Sequence, residues 1–248
     1  MSNASYYKNK NMSDVKANPA PLGLMGFGMT TFLLNIHNAG FYPVDSMILA
    51  MGFFYGGLAQ IIAGIMEFRN GNTFATTAFT SYGIFWWTLV SLWSFPKIHF
   101  EKGVKLAQDE GASINGSTEF IPLAAKPPVD FLAWYLFIWG LFTFFMFIGT
   151  LKKDYTIRFV FGSLTLLFWL LAIRDWLAAG GESLASTSNI VGKIAGWEGI
   201  ICGCSAMYYA MAQVINEQWG RVVLPIGAVA KASEKKVDGT NEELENLA

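Results

Sequence analysis

"FLAWYLFIWGLFTFFMFIGTL", residues 131–151, runs 21 residues without a charge. A helix of that length rises about 30 Å at 1.5 Å per residue, the thickness of a bilayer's hydrocarbon core. Lipid admits only backbones that satisfy themselves, as helices or closed barrels. The run lacks the apolar–polar alternation of a barrel strand, so it reads as a membrane helix. "SMILAMGFFYGGLAQIIAGIM", residues 46–66, reads the same way. Outward from these two, the chain divides into six apolar blocks, at 21–40, 45–67, 73–95, 129–151, 155–177 and 191–215. The expected fold is an all-α integral membrane protein with six transmembrane helices.

Composition agrees. The 248 residues are 53% hydrophobic and 16% aromatic, with 14% charged, too apolar for an ordinary soluble domain. A net charge of −1 makes no case for nucleic acid. The first block follows a polar tail and lacks a small-residue cleavage site, so it is not a cleaved signal peptide. Of the 17 Lys and Arg, eleven fall on the side of the two termini and six on the other. The positive-inside bias then puts both termini in the cytoplasm of a cell-membrane protein. The expected layout is a cytoplasmic tail at 1–17, a transmembrane domain at 18–227 with a long external loop at about 97–128, and a disordered cytoplasmic tail at 228–248. Cys202 and Cys204, two residues apart on one helix, point about 200° from each other and read as packing residues.

Lipid gives helices little hydrophobic reason to associate, so small residues that admit close backbones carry the packing. Gly192, Gly196, Gly199, Gly203, Ala206 and Ala210 form one such face on the sixth helix, and Gly52, Gly56, Ala59 and Ala63 another on the second. Ala206 is also the small residue that best leaves room for a solute path.

Polar groups inside lipid usually turn inward. Phe27, Thr31, Asn35 and Asn38 fall at i, i+4, i+8 and i+11, one stripe fit to line a narrow path or to hydrogen-bond a neighbouring helix. His37 lies off that stripe, near the interface. Thr73 reads as the cap of the third helix, whose Thr77, Thr80, Ser81 and Tyr82 bring hydroxyls towards the membrane's middle. Hydroxyls hold a carboxylate without adding charge, and they also pack helices. Glu198 is the acid well inside the sixth helix, with Cys202, Ser205 and Tyr209 on its face. It is a candidate proton carrier, or else an interfacial residue. Glu67 and Arg69 read as interfacial, and Arg174 with Asp175 as a neutralised interfacial pair. No HExxH, GxSxG or P-loop motif occurs, which excludes the catalytic classes those motifs serve; no cofactor, metal or catalytic residue is implied.

The first block opens "NPAPLGLMGFGMTT", residues 18–31. Proline is tolerated in a helix's first turn, and Asn18 is placed to cap it. A helix starting below the membrane surface would aim its N-terminal amides into a vestibule and attract an organic anion. Asn18, Pro19, Pro21 and Gly23 are therefore the expected entrance.

These residues also carry a resemblance. "NPAPLGLMGFGMTT", "AMGFFYGGLAQIIAGIMEF" (50–68), "GNTFATTAFTSYG" (71–83) and "NEQWGRVVLPIG" (216–227) resemble the acetate uptake transporter family, over Asn18 to about Gly227. The resemblance implies six helices per subunit, a homohexamer with one solute path per subunit, and proton-coupled uptake of acetate and perhaps of succinate. It implies a hydrophobic constriction at Phe27, Tyr82 and Leu164, the last within "FGSLTLLF", and a substrate-selecting small residue at Ala206. Two departures stand out. The external loop, with "EKGVKLAQDEGASINGSTEF" and its Asn115-Gly116-Ser117 acceptor pattern, is longer than in bacterial members, and Glu198 stands where they are expected to be apolar. A passive channel for small solutes and a carboxylate sensor are the competing readings; accumulation of acetate driven by a proton gradient separates a coupled carrier from both.

Overall fold

Two prolines in three residues start the first helix without disrupting it. In the computed structural model, which describes residues 17–94, 99–101, 120–122 and 127–228, helix α1 spans Ala20–Asn38. Helix α2 is continuous over Ser46–Arg69, with a π-helical stretch at Met51–Ala59 between two α-helical parts. Helix α3 spans Thr73–Ser94, α4 Val129–Thr150, α5 Tyr155–Ala179 and α6 Glu182–Gln218. Two three-residue strands, β1 (His99–Glu101) and β2 (Phe120–Pro122), pair antiparallel between α3 and α4. Among the described residues the fold is thus helical but for that short ribbon, which the all-α expectation lacks. The expected tails, and most of the loop at 97–128, lie outside the described residues. Helices α2, α4, α5 and α6 are each long and apolar enough to cross a membrane.

Local chemistry sets the helix ends. Asp45 accepts from the amides of Met47 (3.0 Å) and Ile48 (3.3 Å) and starts α2. Gly71, at φ +72°, reverses the chain after α2, a conformation that favours glycine. The cap of α3 is Asn72 rather than the expected Thr73, because the Asn72 carboxamide oxygen accepts from the Ala75 amide at 3.2 Å. Helix α6 reaches back to Glu182, nine residues before the apolar block at 191–215. Its polar first turns need no lipid, since Ser188 donates to the Arg174 carbonyl (2.9 Å) and anchors them on the end of α5.

The two small-residue faces pack within the chain. Helix α1 lies along α6, and α2 along α3. A Cβ on Gly203 would come within 2.8 Å of both the Gly28 carbonyl oxygen and the Phe32 amide nitrogen, and one on Gly28 within 2.9 Å of the Gly203 oxygen. Gly196 meets the backbone at Ala39, and Gly199 meets the Asn35 carboxamide. On α2, Gly52 lies on Val90 and Gly56 on Trp86 and Thr30. The expected face needs one amendment: Ala59 is only half-buried, whereas Gly57, Gln60, Ala63, Gly64 and Glu67 are buried. A π turn closes one residue later than an α turn, so α-helical counting does not carry through this stretch.

Between α3 and α4 bulk keeps the helices apart. Few backbone contacts join α3 to α4, and rings fill the gap. Phe85 meets Trp139 and Phe168 edge-on, each at a 5.1 Å centroid distance, and stacks on Tyr135 at 5.9 Å.

Replacing Gly203 with Ala should lower stability by about 1–3 kcal/mol, because a Cβ there meets backbone that no rotamer can relieve. A thermal unfolding midpoint in detergent, lower than wild type by several degrees, is the expected result.

Candidate functional site

Two cavities run through the helical core, of about 230 Å³ and about 180 Å³. Each far exceeds the roughly 10–15 Å³ needed to hold a water. Helices α1, α3 and α5 supply most of both linings at helical spacing. On α3 these are Ala75, Ala78, Phe79 and Tyr82, then Phe85, Trp86 and Leu89. On α5, Ile157, Val160, Phe161 and Leu164 are followed by Leu167, Phe168 and Leu171. Phe27, Tyr82 and Leu164 are the residues shared by both linings, so the two cavities abut at them.

All three are buried, at 7%, 3% and 3% exposure respectively. The rings of Phe27 and Tyr82 stand 6.1 Å apart and tilted by 44°. Tyr82 is held from the far side. Its hydroxyl donates to Thr143 Oγ1 on α4 (3.0 Å), and Thr143 donates to the Trp139 carbonyl (2.7 Å). Phe142 packs edge-on against the Tyr82 ring at 5.6 Å.

The first cavity opens beside the start of α1. Asn18 donates to Gln213 Oε1 on α6 (2.9 Å), and both also line a larger recess of about 470 Å³ with the chain's return at 216–228. Asn216 holds that return, accepting from the amides of Val223 (2.7 Å) and Leu224 (2.9 Å). Glu67 and Lys153 bring charge to this cavity. Glu67 is buried and accepts from Asn72 Nδ2 (2.9 Å) rather than lying at an open interface. Gln60, fully buried, also lines it.

The second cavity ends in polar groups. Thr31, Asn35 and Asn38 line it, as does His37. Asn35 donates to the Thr31 carbonyl (2.8 Å) and accepts from Asn38 (2.9 Å). The expected pairing of Arg174 with Asp175 is present at 2.7 Å, and Arg174 reaches this cavity with a second donor to Asn38 at 3.3 Å.

The structure therefore gathers the stripe Phe27, Thr31, Asn35 and Asn38 with Tyr82 and Leu164. Other expected residues lie elsewhere. Thr77 is exposed, Thr80 packs on Gly64 of α2, and Ser81 is half-buried; none of the three lines either cavity, because α3 turns its apolar and aromatic face inward. Ala206 is fully buried and lines neither cavity. Glu198 accepts a hydrogen bond from Ser163 of α5 at the pairing of α5 with α6, outside both linings.

At the entrance, Asn18 lines the cavity, Pro19 is buried and Pro21 half-buried, and Gly23 makes room for the Phe79 ring, which would stand 2.5–2.8 Å from a Cβ. The expected row of free amides is absent there. The Ala20 amide donates to Asn18 Oδ1 (3.1 Å), Pro21 has none, and Leu22 and Gly23 donate to the Pro19 carbonyl (3.1 and 3.4 Å). Asn18 thus offers a carboxamide rather than a helix-end anion hole. Gln60, Glu67, Lys153 and Gln213 were not expected to line the cavity. Gln60 does carry a signal, as the one amide side chain in the apolar run 46–66.

Comparison with known proteins bears directly on this arrangement. The profile of the GPR1/FUN34/yaaH family matches residues 3–230. The succinate-acetate/proton symporter SatP of Escherichia coli K12 is 52% identical over 211 residues, covering 85% of this chain and 95% of its own. Acetate permease A of Emericella nidulans is 28% identical over 212 residues, covering 85% of this chain and 65% of its own. A solved structure of the bacterial acetate channel SatP superposes with a TM-score of 0.71 at 51% identity, over 86% of this chain and all of its own. These relatives are a symporter, a permease and a channel, not enzymes.

Replacing Tyr82 with Phe removes one buried hydrogen bond while Thr143 keeps its bond to Trp139, so stability should fall by about 1 kcal/mol. Thermal unfolding of the purified protein measures it.

Proposed function

The chain belongs to the GPR1/FUN34/yaaH family, and on that premise we propose that it moves acetate and related small carboxylates, succinate among them, across a cell membrane. The observation that carries this reading is the pair of cavities that abut at Phe27, Tyr82 and Leu164. Two cavities, each with room for several waters, divided by a buried apolar neck are what a solute path in its closed state requires. The solute enters past Asn18 and Gln213, reaches the neck, and leaves along Thr31, Asn35 and Asn38. Relatives named as a proton symporter and as a permease support coupled uptake, with protons moving alongside the acid.

All six long helical segments cross the membrane in this reading. Helix α1, with 19 residues, and α3, with 22, are not among the four helices that meet the length and apolarity of a membrane span by themselves. Their lengths of about 28 and 33 Å still span a hydrocarbon core. Both termini lie in the cytoplasm, as the Lys and Arg distribution favours, and each subunit of a homohexamer carries its own path, as the family resemblance implies. A passive acetate channel is the second reading, favoured by the uncharged neck and by the superposed relative described as a channel.

The test is radiolabelled acetate uptake into proteoliposomes, with and without an imposed inward proton gradient, against protein-free vesicles. Accumulation above passive equilibrium, abolished by a protonophore, supports the coupled carrier. Faster equilibration without accumulation supports the channel, and no difference from empty vesicles removes acetate as a solute. Leu164→Ala shortens a side chain at the neck and should admit larger acids such as lactate, raising their competition with acetate several-fold. Unchanged selectivity would reassign the neck. Glu198→Gln keeps the shape of a group that lies off both cavities. Its expected effect is an unaltered flux and pH profile; a flattened profile would restore Glu198 as a proton carrier.

A further inference from the structure

Gln60 sits where the π-helical part of α2 gives way to the α-helical part. Its side chain is 0% exposed, and among the described residues neither Oε1 nor Nε2 has a hydrogen-bond partner. A carboxamide carries an acceptor and two donors, and burying it unpaired is unfavourable. An apolar residue of similar length would fill the same space without that penalty. Gln60 also lines the first cavity, whose lining includes Phe27 and Tyr82. Its position is built in: Gly26 of α1 lets α2 approach until a Cβ there would stand 2.6 Å from the Tyr55 carbonyl oxygen and 3.4 Å from Gln60 Cγ.

The charged groups of this cavity are elsewhere. Glu67 lies seven residues further along α2, about 10 Å by helical rise, where Asn72 bonds it. Lys153 reaches over the Phe74 ring at 4.9 Å. Of the titratable side chains on the other helices, Tyr209 donates to Asp154 (2.9 Å) and Tyr82 to Thr143. Gln60 thus places a complete, neutral and unpaired donor–acceptor group in the cavity wall, apart from the cavity's fixed charges.

We propose that Gln60 binds a small carboxylic acid in its undissociated form, Oε1 accepting the acid's O–H while Nε2–H donates to the acid's carbonyl. The proposal rests on the reading of this chain as an acetate transporter and adds which form of the acid the path selects. A carboxylate offers acceptors only. It takes the N–H, but it sets its other oxygen against Oε1 with no counter-charge beside it. An acid held by both groups keeps its proton as it enters the apolar neck. Proton and acetate then travel one to one, although no side chain of the path changes its own protonation. The same pairing accommodates acetamide, which has an N–H and a C=O in the places of the acid's O–H and C=O.

Two measurements test this. In proteoliposomes, acetamide should compete with acetate uptake by wild type. Gln60→Leu should raise the half-saturating acetate concentration about tenfold, the ratio equivalent to about 1.4 kcal/mol, and abolish the acetamide competition. An unchanged half-saturating concentration in a folded Gln60→Leu protein overturns the proposal. Independently, difference infrared spectra of wild type with carboxyl-¹³C acetate should carry the acid's carbonyl band, whereas carboxylate bands alone overturn it. The infrared result decides even where Gln60→Leu does not fold. Wild-type vesicles that bind the acid at Gln60 yet move no acetate would instead sink the transport reading.

Discussion

The contact on which the other helices depend is between two backbones. Gly28 of α1 and Gly203 of α6 face each other with no side chain between them, and Gly196 and Gly199 extend the seam towards Asn35 and Ala39. In lipid, where apolar burial does little to join helices, this close approach supplies the dispersion contacts that hold α1 in place. With one side of α1 committed to that seam, its remaining inward residues, Leu24, Phe27, Thr31 and Asn35, turn to the cavities. The same economy of volume recurs on α2, where Gly56 and Gly64 draw α3 close and set Tyr82 opposite Phe27. Between α3 and α4 the logic reverses and rings hold the two helices apart, while α4 and α5 pack closely again.

Much of this was legible from spacing. The runs of uncharged residues located the helical segments, and the four-three rhythm of glycines on α6 marked the seam with α1. On α1 a regular α-helix made angular counting valid, so Phe27, Thr31, Asn35 and Asn38 do share a cavity wall. Counting failed where polarity was taken to mean inward. Thr77, Thr80 and Ser81 turn away because α3 presents Phe79, Tyr82 and Phe85 to the core. Where a helix is apolar on several faces, hydrophobic contrast does not say which face is inside. Glu67 looked interfacial from its place at a helix end, since nothing in the sequence shows that Asn72 folds back to cover it. The free amides expected at Asn18 to Gly23 are absent for a local reason: the residues that mark the start of α1 also consume its donors.

The polar groups along the two cavities fall into an order. Among the described residues, charge reaches the first cavity through Glu67 and Lys153 and the second through Arg174, paired with Asp175. Between them the lining is carboxamide, hydroxyl, aliphatic and aromatic. A small acid following this route would meet amides on both sides of an apolar neck. That is suited to a solute that must be recognised weakly enough to leave. Tyr82 cannot leave its place beside Phe27 without breaking its bond to Thr143 of α4.

The π-helical stretch of α2 has a consequence for how this protein tolerates change in length. Every residue from 60 to 69 takes its angular bearing from the nine residues before it. One residue lost from Met51–Ala59 could relax the stretch towards an ordinary α-helix with its ends still in register along the axis. The second half of α2 would then keep close to its present bearing, Gln60 and Glu67 with it, because a π turn holds one residue more than the α turn that replaces it. The stretch is therefore the part of α2 where one residue can be lost without turning its second half from the cavity.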